Sequence, residues 1–195
     1  MNYRLFNLIN SAAGHLAVID HLMRFAAVDL VFLVFSIAGA VVLYALLQRR
    51  FRAVLCFGAT LVLAFGLAQV LAHLSREQRP FQDHPVHQLI AHTPGVGMPS
   101  DHATAAFAIA FGLMVFLSRR AGIALIPVAL LIGFARVWTG LHYPGDILAA
   151  ALIAALAAMF VYVVNRDPRE LESNEPAMRP GVNRTASATA RSDRG

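Results

Sequence analysis

The chain has 195 residues, 58% of them hydrophobic and only 14% charged, with a mean hydropathy of +0.62. A soluble domain is about 45–50% apolar and about 25% charged, so this excess of apolar side chains cannot be hidden inside a small globule. The formal charge of +5 comes from 16 basic residues, all of them arginine, and their distribution argues against a nucleic-acid footprint. A lone cysteine, Cys56, excludes an intrachain disulfide.

The first 25 residues interleave Leu5, Phe6, Leu8, Ile9, Leu16, Val18, Ile19 and Leu22 with Asn, His, Asp and Arg. The pattern predicts one or two amphipathic helices lying in the membrane interface. A cleavable signal fits poorly, because no apolar core follows Arg4. Five stretches free of Asp, Glu, Lys and Arg follow, at 30–48, 53–75, 103–118, 121–135 and 147–165. A span needs about 20 apolar residues. The third and fourth stretches are short and must borrow the polar residues that flank them. The expected fold is therefore all-α: a polytopic membrane helix bundle of about five spans plus the interfacial segment, over residues 1–165. Residues 166–195, rich in Arg, Glu, Ser, Pro and Ala and without aromatics, read as a disordered cytoplasmic tail.

Arginines cluster at 49–52, at 119–120 and after the fifth span. All three regions fall on one side of a five-span topology, which the positive-inside rule makes cytoplasmic. Loops 76–101 and 136–146 then face outward. The first contains Arg76-Glu77-Gln78-Arg79-Pro80-Phe81 and ends Met98-Pro99-Ser100-Asp101-His102; the second runs from Arg136 through His142 to Asp146.

These polar pieces read as parts of a phosphate site. Arg79 and Arg136 carry planar forks that match phosphate oxygens. Ser100 is placed to cap the third span, whose N-terminal N–H groups favour an anion. Pro144 opens the fifth span and puts Asp146 in its first turn. From there Asp146 can accept Nδ1–H of His142, leaving Nε2 free as a nucleophile. His102 is then available as a general acid. Taken singly, the arginines also fit interfacial anchors, Ser100 a plain cap, Asp101 and Asp146 dipole partners, and His142 an aromatic belt beside Trp138 and Tyr143. His84, His87 and His92 leave open a metal site with His102 and His142, or contacts to a second phosphate.

Arg79-Pro80, Pro99-Ser100-Asp101-His102, and Arg136 followed by His142 and Asp146 together resemble the three-part signature of type 2 phosphatidic acid phosphatases. Arg79-Pro80-Phe81 with Asp83-His84-Pro85 resembles their bacterial undecaprenyl-diphosphatase branch. The resemblance implies His142 as the phosphorylated nucleophile, His102 as acid, Asp146 as its support, and phosphate held by Arg79, Arg136, Ser100 and Asp101. It implies no metal or other cofactor, a polyprenyl diphosphate substrate among membrane lipids, no nucleic-acid partner, and a bacterial inner-membrane enzyme with an outward site. It also implies roles in recycling the peptidoglycan lipid carrier and in bacitracin resistance. Three positions depart from the pattern, one being Asp101, where the second motif usually has glycine, as in the diphosphatase branch. Ala72 stands where the family has lysine, and Ala135 where it has serine. Arg76 is the expected substitute for the missing lysine. Another lipid phosphate, or non-catalytic binding of lipid phosphate, are the alternatives.

Overall fold

The computed structural model describes residues 2–166. The tail expected at 166–195 lies outside the described residues, apart from Arg166. Eight α-helices run in the order α1 (Asn2–Asn10), α2 (Ala17–Val28), α3 (Leu30–Leu47), α4 (Phe51–Ser75), the short α5 (Pro80–Asp83), α6 (Asp101–Gly112), α7 (Arg119–Trp138) and α8 (Pro144–Asn165). A π-helical turn, Leu113–Leu117, continues α6. No strand occurs among the described residues; the one β-bridge pairs Gln78 with Val96.

Helices α3, α4, α7 and α8 are long and apolar enough to cross a membrane, and α6 with its π turn is a shorter apolar helix. The expected fifth crossing is thus short for a mechanical reason. α6 runs through the middle of the bundle, packed by α3, α4, α7 and α8, with nine of its twelve residues buried. A helix sheathed by other helices meets little lipid and need not match the bilayer's thickness. Close packing is possible because the facing residues are small. Ala103, Ala106, Ala110 and Gly112 of α6 meet a bundle in which Ala150, Ala154 and Ala157 of α8 are also fully buried.

Among the described residues, Arg50 and Arg52 reach the C-terminal ends of the π turn and of α8. Arg50 donates from Nη1 to the Leu117 carbonyl at 3.1 Å, and Arg52 from Nη2 to the Asn165 carbonyl at 2.7 Å. Each cation thereby satisfies a carbonyl left open at a helix C-terminus. The other end carries the N-terminal helices and the loop between α4 and α6.

The N-terminal segment has two different faces. Leu8, Val18, Leu22 and Phe25 are exposed, as an interfacial segment requires. Phe6, by contrast, is buried against Val137 and Tyr143, and Ala26 and Ala27 against Ala135. The segment is therefore a roof on the loop-bearing end of the bundle.

One contact tests the packing. A Cβ at Gly122 would stand 2.4 Å from the backbone nitrogen of Met114, so α7 closes on the π turn only through a glycine. Gly122→Val is expected to cost about 1–3 kcal/mol or more, read as a lowered unfolding midpoint in detergent with the same helical signal when folded.

Candidate active site

Loop 76–100 is an ordered clamp. Its two arms are joined by the bridge between Gln78 and Val96 and by the Gly97 N–H donating to the Glu77 carbonyl at 2.7 Å. The Gln82 side chain accepts from the Gly95 N–H at 2.8 Å and from the Arg79 N–H at 3.4 Å. Gly97 lies so close to Arg79 that a Cβ would stand 3.3 Å from its Cγ. Arg79 is thus locked just before α5 and driven inward, with only 9% of its surface exposed.

The second loop is shorter than its sequence suggests. α7 extends to Trp138 and α8 begins at Pro144, so Arg136 belongs to the last turn of α7, not to a loop. The intervening turn wraps back on the helix, with the Leu141 and His142 N–H groups both donating to the Arg136 carbonyl at 3.1 and 3.3 Å. Thr139 secures it through Oγ1 to the Ala135 carbonyl at 2.8 Å. Asp146 sits in the first turn of α8 and reaches back, accepting the Tyr143 N–H at 2.8 Å and lying 3.2 Å from His142 Nδ1 through the same Oδ2. That backward reach is the second half of a capping box.

At the centre stands His142, 1% exposed. Its Nε2 is 3.0 Å from Arg79 Nη1 and 3.4 Å from Arg136 Nη2. A guanidinium can only donate, so Nε2 is the unprotonated nitrogen and Nδ1 carries the hydrogen toward Asp146. The arrangement suits the tautomer expected from the sequence, with one difference. Nε2 is not free, because both arginines converge on its lone pair. Burial pushes the His142 imidazole well below its usual pKa, and the charges of Arg136 and Arg79 push the same way. Burial likewise lowers the Arg79 guanidinium, opposed in part by Asp101 and Asp146.

Four buried side-chain atoms of these residues have no protein partner: Nε of Arg79, Nε of Arg136, Oγ of Ser100 and Oδ1 of Asp146. Ser100 occupies the N-cap position of α6 but makes no side-chain cap bond. The expectation of a capping hydroxyl is corrected on this point. The helix is held instead through the backbone, with the Ser100 carbonyl accepting from Thr104 N and Thr104 Oγ1 at 2.8 and 2.9 Å. The hydroxyl and the guanidinium N–H groups are donors, as a tetrahedral anion requires. His102, half-buried on the first turn of α6, lies within electrostatic reach of Arg136, Asp101 and Arg79.

Other expected residues are less involved. Asp101 is exposed at the first position of α6 and acts on the arginines only through its charge. Arg76 is the left-handed C-cap of α4, exposed, and no hydrogen bond joins it to the cluster. The structure does not bring it in as the replacement for a lysine at Ala72. His84 stacks on Tyr3 at 3.9 Å between ring centroids, and His87 faces His15 at 5.8 Å. Among the described residues no three His, Cys, Asp or Glu side chains gather as metal ligands.

Sequence reasoning missed the partners of Arg136 and of the His142 turn. The Arg136 Nη1 donates to the Ala27 carbonyl at 3.3 Å, in the last turn of α2. The single tryptophan, Trp138, donates from Nε1 to Asp20 at 2.9 Å. A polar Asp in an otherwise apolar amphipathic helix was the available signal for the second; a backbone carbonyl leaves no signal.

Residues 53–170 match the PAP2 superfamily. The chain belongs to the PAP2 superfamily. It is 34% identical over 162 residues to undecaprenyl-diphosphatase BcrC of Bacillus subtilis, covering 83% of each chain. It is 32% identical over 151 residues to a decaprenylphosphoryl-5-phosphoribose phosphatase of Mycobacterium tuberculosis, covering 76% of this chain and 79% of that one. Its fold is that of LpxE from Aquifex aeolicus, with a TM-score of 0.68 at 22% identity over 83% of this chain and 94% of the other. The protein is a multi-pass membrane phosphatase of the PAP2 type, acting on lipid phosphates.

The geometry predicts a neutral His142 in the phosphate-free enzyme. Titration of the histidine nitrogens by NMR should place its midpoint below the ordinary value of 6.5, with Nδ1 protonated. Arg79→Gln removes a cation that disfavours the imidazolium, so the midpoint should rise. A His142 that titrates at or above 6.5 in both proteins would refute this account of the site.

Proposed function

We propose that the protein is an undecaprenyl-diphosphate phosphatase that removes the terminal phosphate of the lipid diphosphate at the outer face of a bacterial inner membrane. The observation that carries this reading is the convergence of two buried guanidinium groups on the unprotonated Nε2 of His142, whose other nitrogen is held by Asp146. A phosphoryl group taken between Arg79, Arg136 and Ser100 replaces the imidazole as acceptor of those N–H groups. Nε2 is thereby released for attack at the phosphorus.

In the first step the Nε2 lone pair forms a bond to the terminal phosphorus while the bond from phosphorus to the bridging oxygen breaks in line. The bridging oxygen leaves with that electron pair on undecaprenyl phosphate and takes a proton from His102. Asp146 stabilises the imidazolium character that develops on His142. In the second step water attacks the phosphohistidine, His102 takes the water's proton, and inorganic phosphate departs as the N–P electron pair returns to Nε2. The arginines and the Ser100 hydroxyl stabilise the charge on the equatorial oxygens throughout.

The diphosphate assignment is supported by the likeness to a relative named undecaprenyl-diphosphatase. The likeness to a phosphatase of a decaprenyl phosphoribose lipid favours a second reading, a polyprenyl-linked phosphate monoester. Side-by-side phosphate release by purified protein in detergent separates them. The expected result is faster turnover of undecaprenyl diphosphate than of monophosphate lipids. His142→Ala should lower turnover by about 10³-fold or more, and His102→Ala by about 10²–10⁴-fold. Arg76→Ala, outside the cluster, should leave it unchanged. Full turnover by His142→Ala would refute the mechanism; equal or faster turnover of a monoester would refute the substrate.

The outward orientation follows from the arginines at the opposite end of the bundle. In a Cys56→Ser background, Thr93→Cys should react with an impermeant maleimide in intact spheroplasts. Gln48→Cys should react only after permeabilisation. The reverse pattern would invert the topology.

A further inference from the structure

Helix α1 presents one stripe to the turn that carries His142. Asn2, Phe6 and Asn10 are spaced four apart, so they share a face. Each touches a different part of that turn. Asn10, only 2% exposed, donates from Nδ2 to the Trp138 carbonyl at 2.8 Å and to the His87 carbonyl at 2.9 Å. Its Oδ1 accepts from the His87 N–H at 2.9 Å. Phe6 meets the Tyr143 ring edge-on at 5.4 Å. Asn2 accepts the Gly145 N–H through Oδ1 at 2.9 Å, satisfying one of the open N–H groups at the start of α8.

The turn itself is shaped for these contacts. Gly140 has φ +82°, and a Cβ there would stand 2.9 Å from the His87 carbonyl oxygen that Asn10 holds. A Cβ at Gly145 would stand 2.8 Å from Asn2. The Leu89 N–H closes the same seam by donating to the Thr139 carbonyl at 3.1 Å. Glycines on either side of His142 thus admit the loop and the helix that grip it. An apolar residue at position 10 would leave the His87 N–H and the two carbonyls without these partners. Asparagine instead spends its hydrogen bonds on backbone atoms of the segments flanking the nucleophile.

We propose that α1 is a splint for the nucleophile turn, with Asn10 and Asn2 as positioning residues that keep His142 Nε2 in line with the phosphorus. The inference rests on the proposed function. It adds that the N-terminal helix, though it supplies no group to the phosphate, sets the rate of the chemical step.

The test compares two inhibitors in the full-length protein. Orthovanadate reproduces the five-coordinate transition state and needs Nε2 in line, whereas inorganic phosphate needs only the arginines and Ser100. Asn10→Asp keeps the shape and the acceptor but loses both donors; Asn2→Ala frees the Gly145 N–H. For Asn10→Asp, kcat should fall about 10–100-fold with KM within about threefold. Its inhibition constant for vanadate should rise about 10-fold while that for phosphate stays within about threefold. Asn2→Ala should shift the vanadate-to-phosphate ratio the same way by about threefold or more, and it carries the test if Asn10→Asp does not fold. A smaller folded fraction alone lowers kcat and leaves both inhibition constants unchanged; that result, or wild-type behaviour throughout, overturns the splint. A wild-type protein that releases no phosphate from any lipid phosphate overturns the proposed function, and the splint with it.

Discussion

Two arginines are buried beside one imidazole at the loop-bearing end of a membrane bundle, and the surrounding architecture answers the cost of putting them there. Removing a guanidinium from water is unfavourable unless its N–H groups find acceptors. Here the acceptors are few: His142 Nε2 for both, and the Ala27 carbonyl for Arg136. The site is left rich in donors, with Asp146 held through Oδ2 to His142 and to the Tyr143 N–H. Such a cluster is best completed by a phosphate dianion, which supplies both the charge and the lone pairs that the protein withholds.

Each element near the site contributes to that arrangement. α6 is central and lined with alanine, so its first turn can sit among the other helices and offer a buried Ser100. α7 persists to Trp138, which fixes Arg136 on a rigid helix, while the glycine turn folds back on its carbonyl end. α8 starts where Pro144 allows it to, and Asp146 links that start to the nucleophile's second nitrogen. Groups held on helix ends are more precisely placed than groups on loops. The remaining loop, residues 76–100, is made rigid by Gln82 and by its pinned arms.

The roof formed by α1 and α2 is joined to this centre by polar contacts at both ends. Ala27 receives Arg136 and Asp20 receives Trp138, while Asn2 and Asn10 grip the backbone around His142. The other faces of these helices carry exposed apolar residues such as Leu8, Leu22 and Phe25.

The amino-acid sequence by itself determined the class of fold and the family. Long uncharged apolar runs have few fates other than membrane helices, and Arg79, Ser100, His102, Arg136, His142 and Asp146 stand at the spacing that resembles the family's signature. Only the tertiary structure decided which neighbouring residues take part. The spacing that marked Arg76 as a stand-in for lysine could not show that it ends α4 facing outward. Nor could it show that Ser100 leaves its hydroxyl uncommitted, or that Nε2 of His142 is occupied by two guanidiniums. Asn2 and Asn10 looked like the polar side of an interfacial helix. Their partners lie 75 or more residues away and are mostly backbone atoms, which have no identity in a sequence and acquire a position only when the chain is folded.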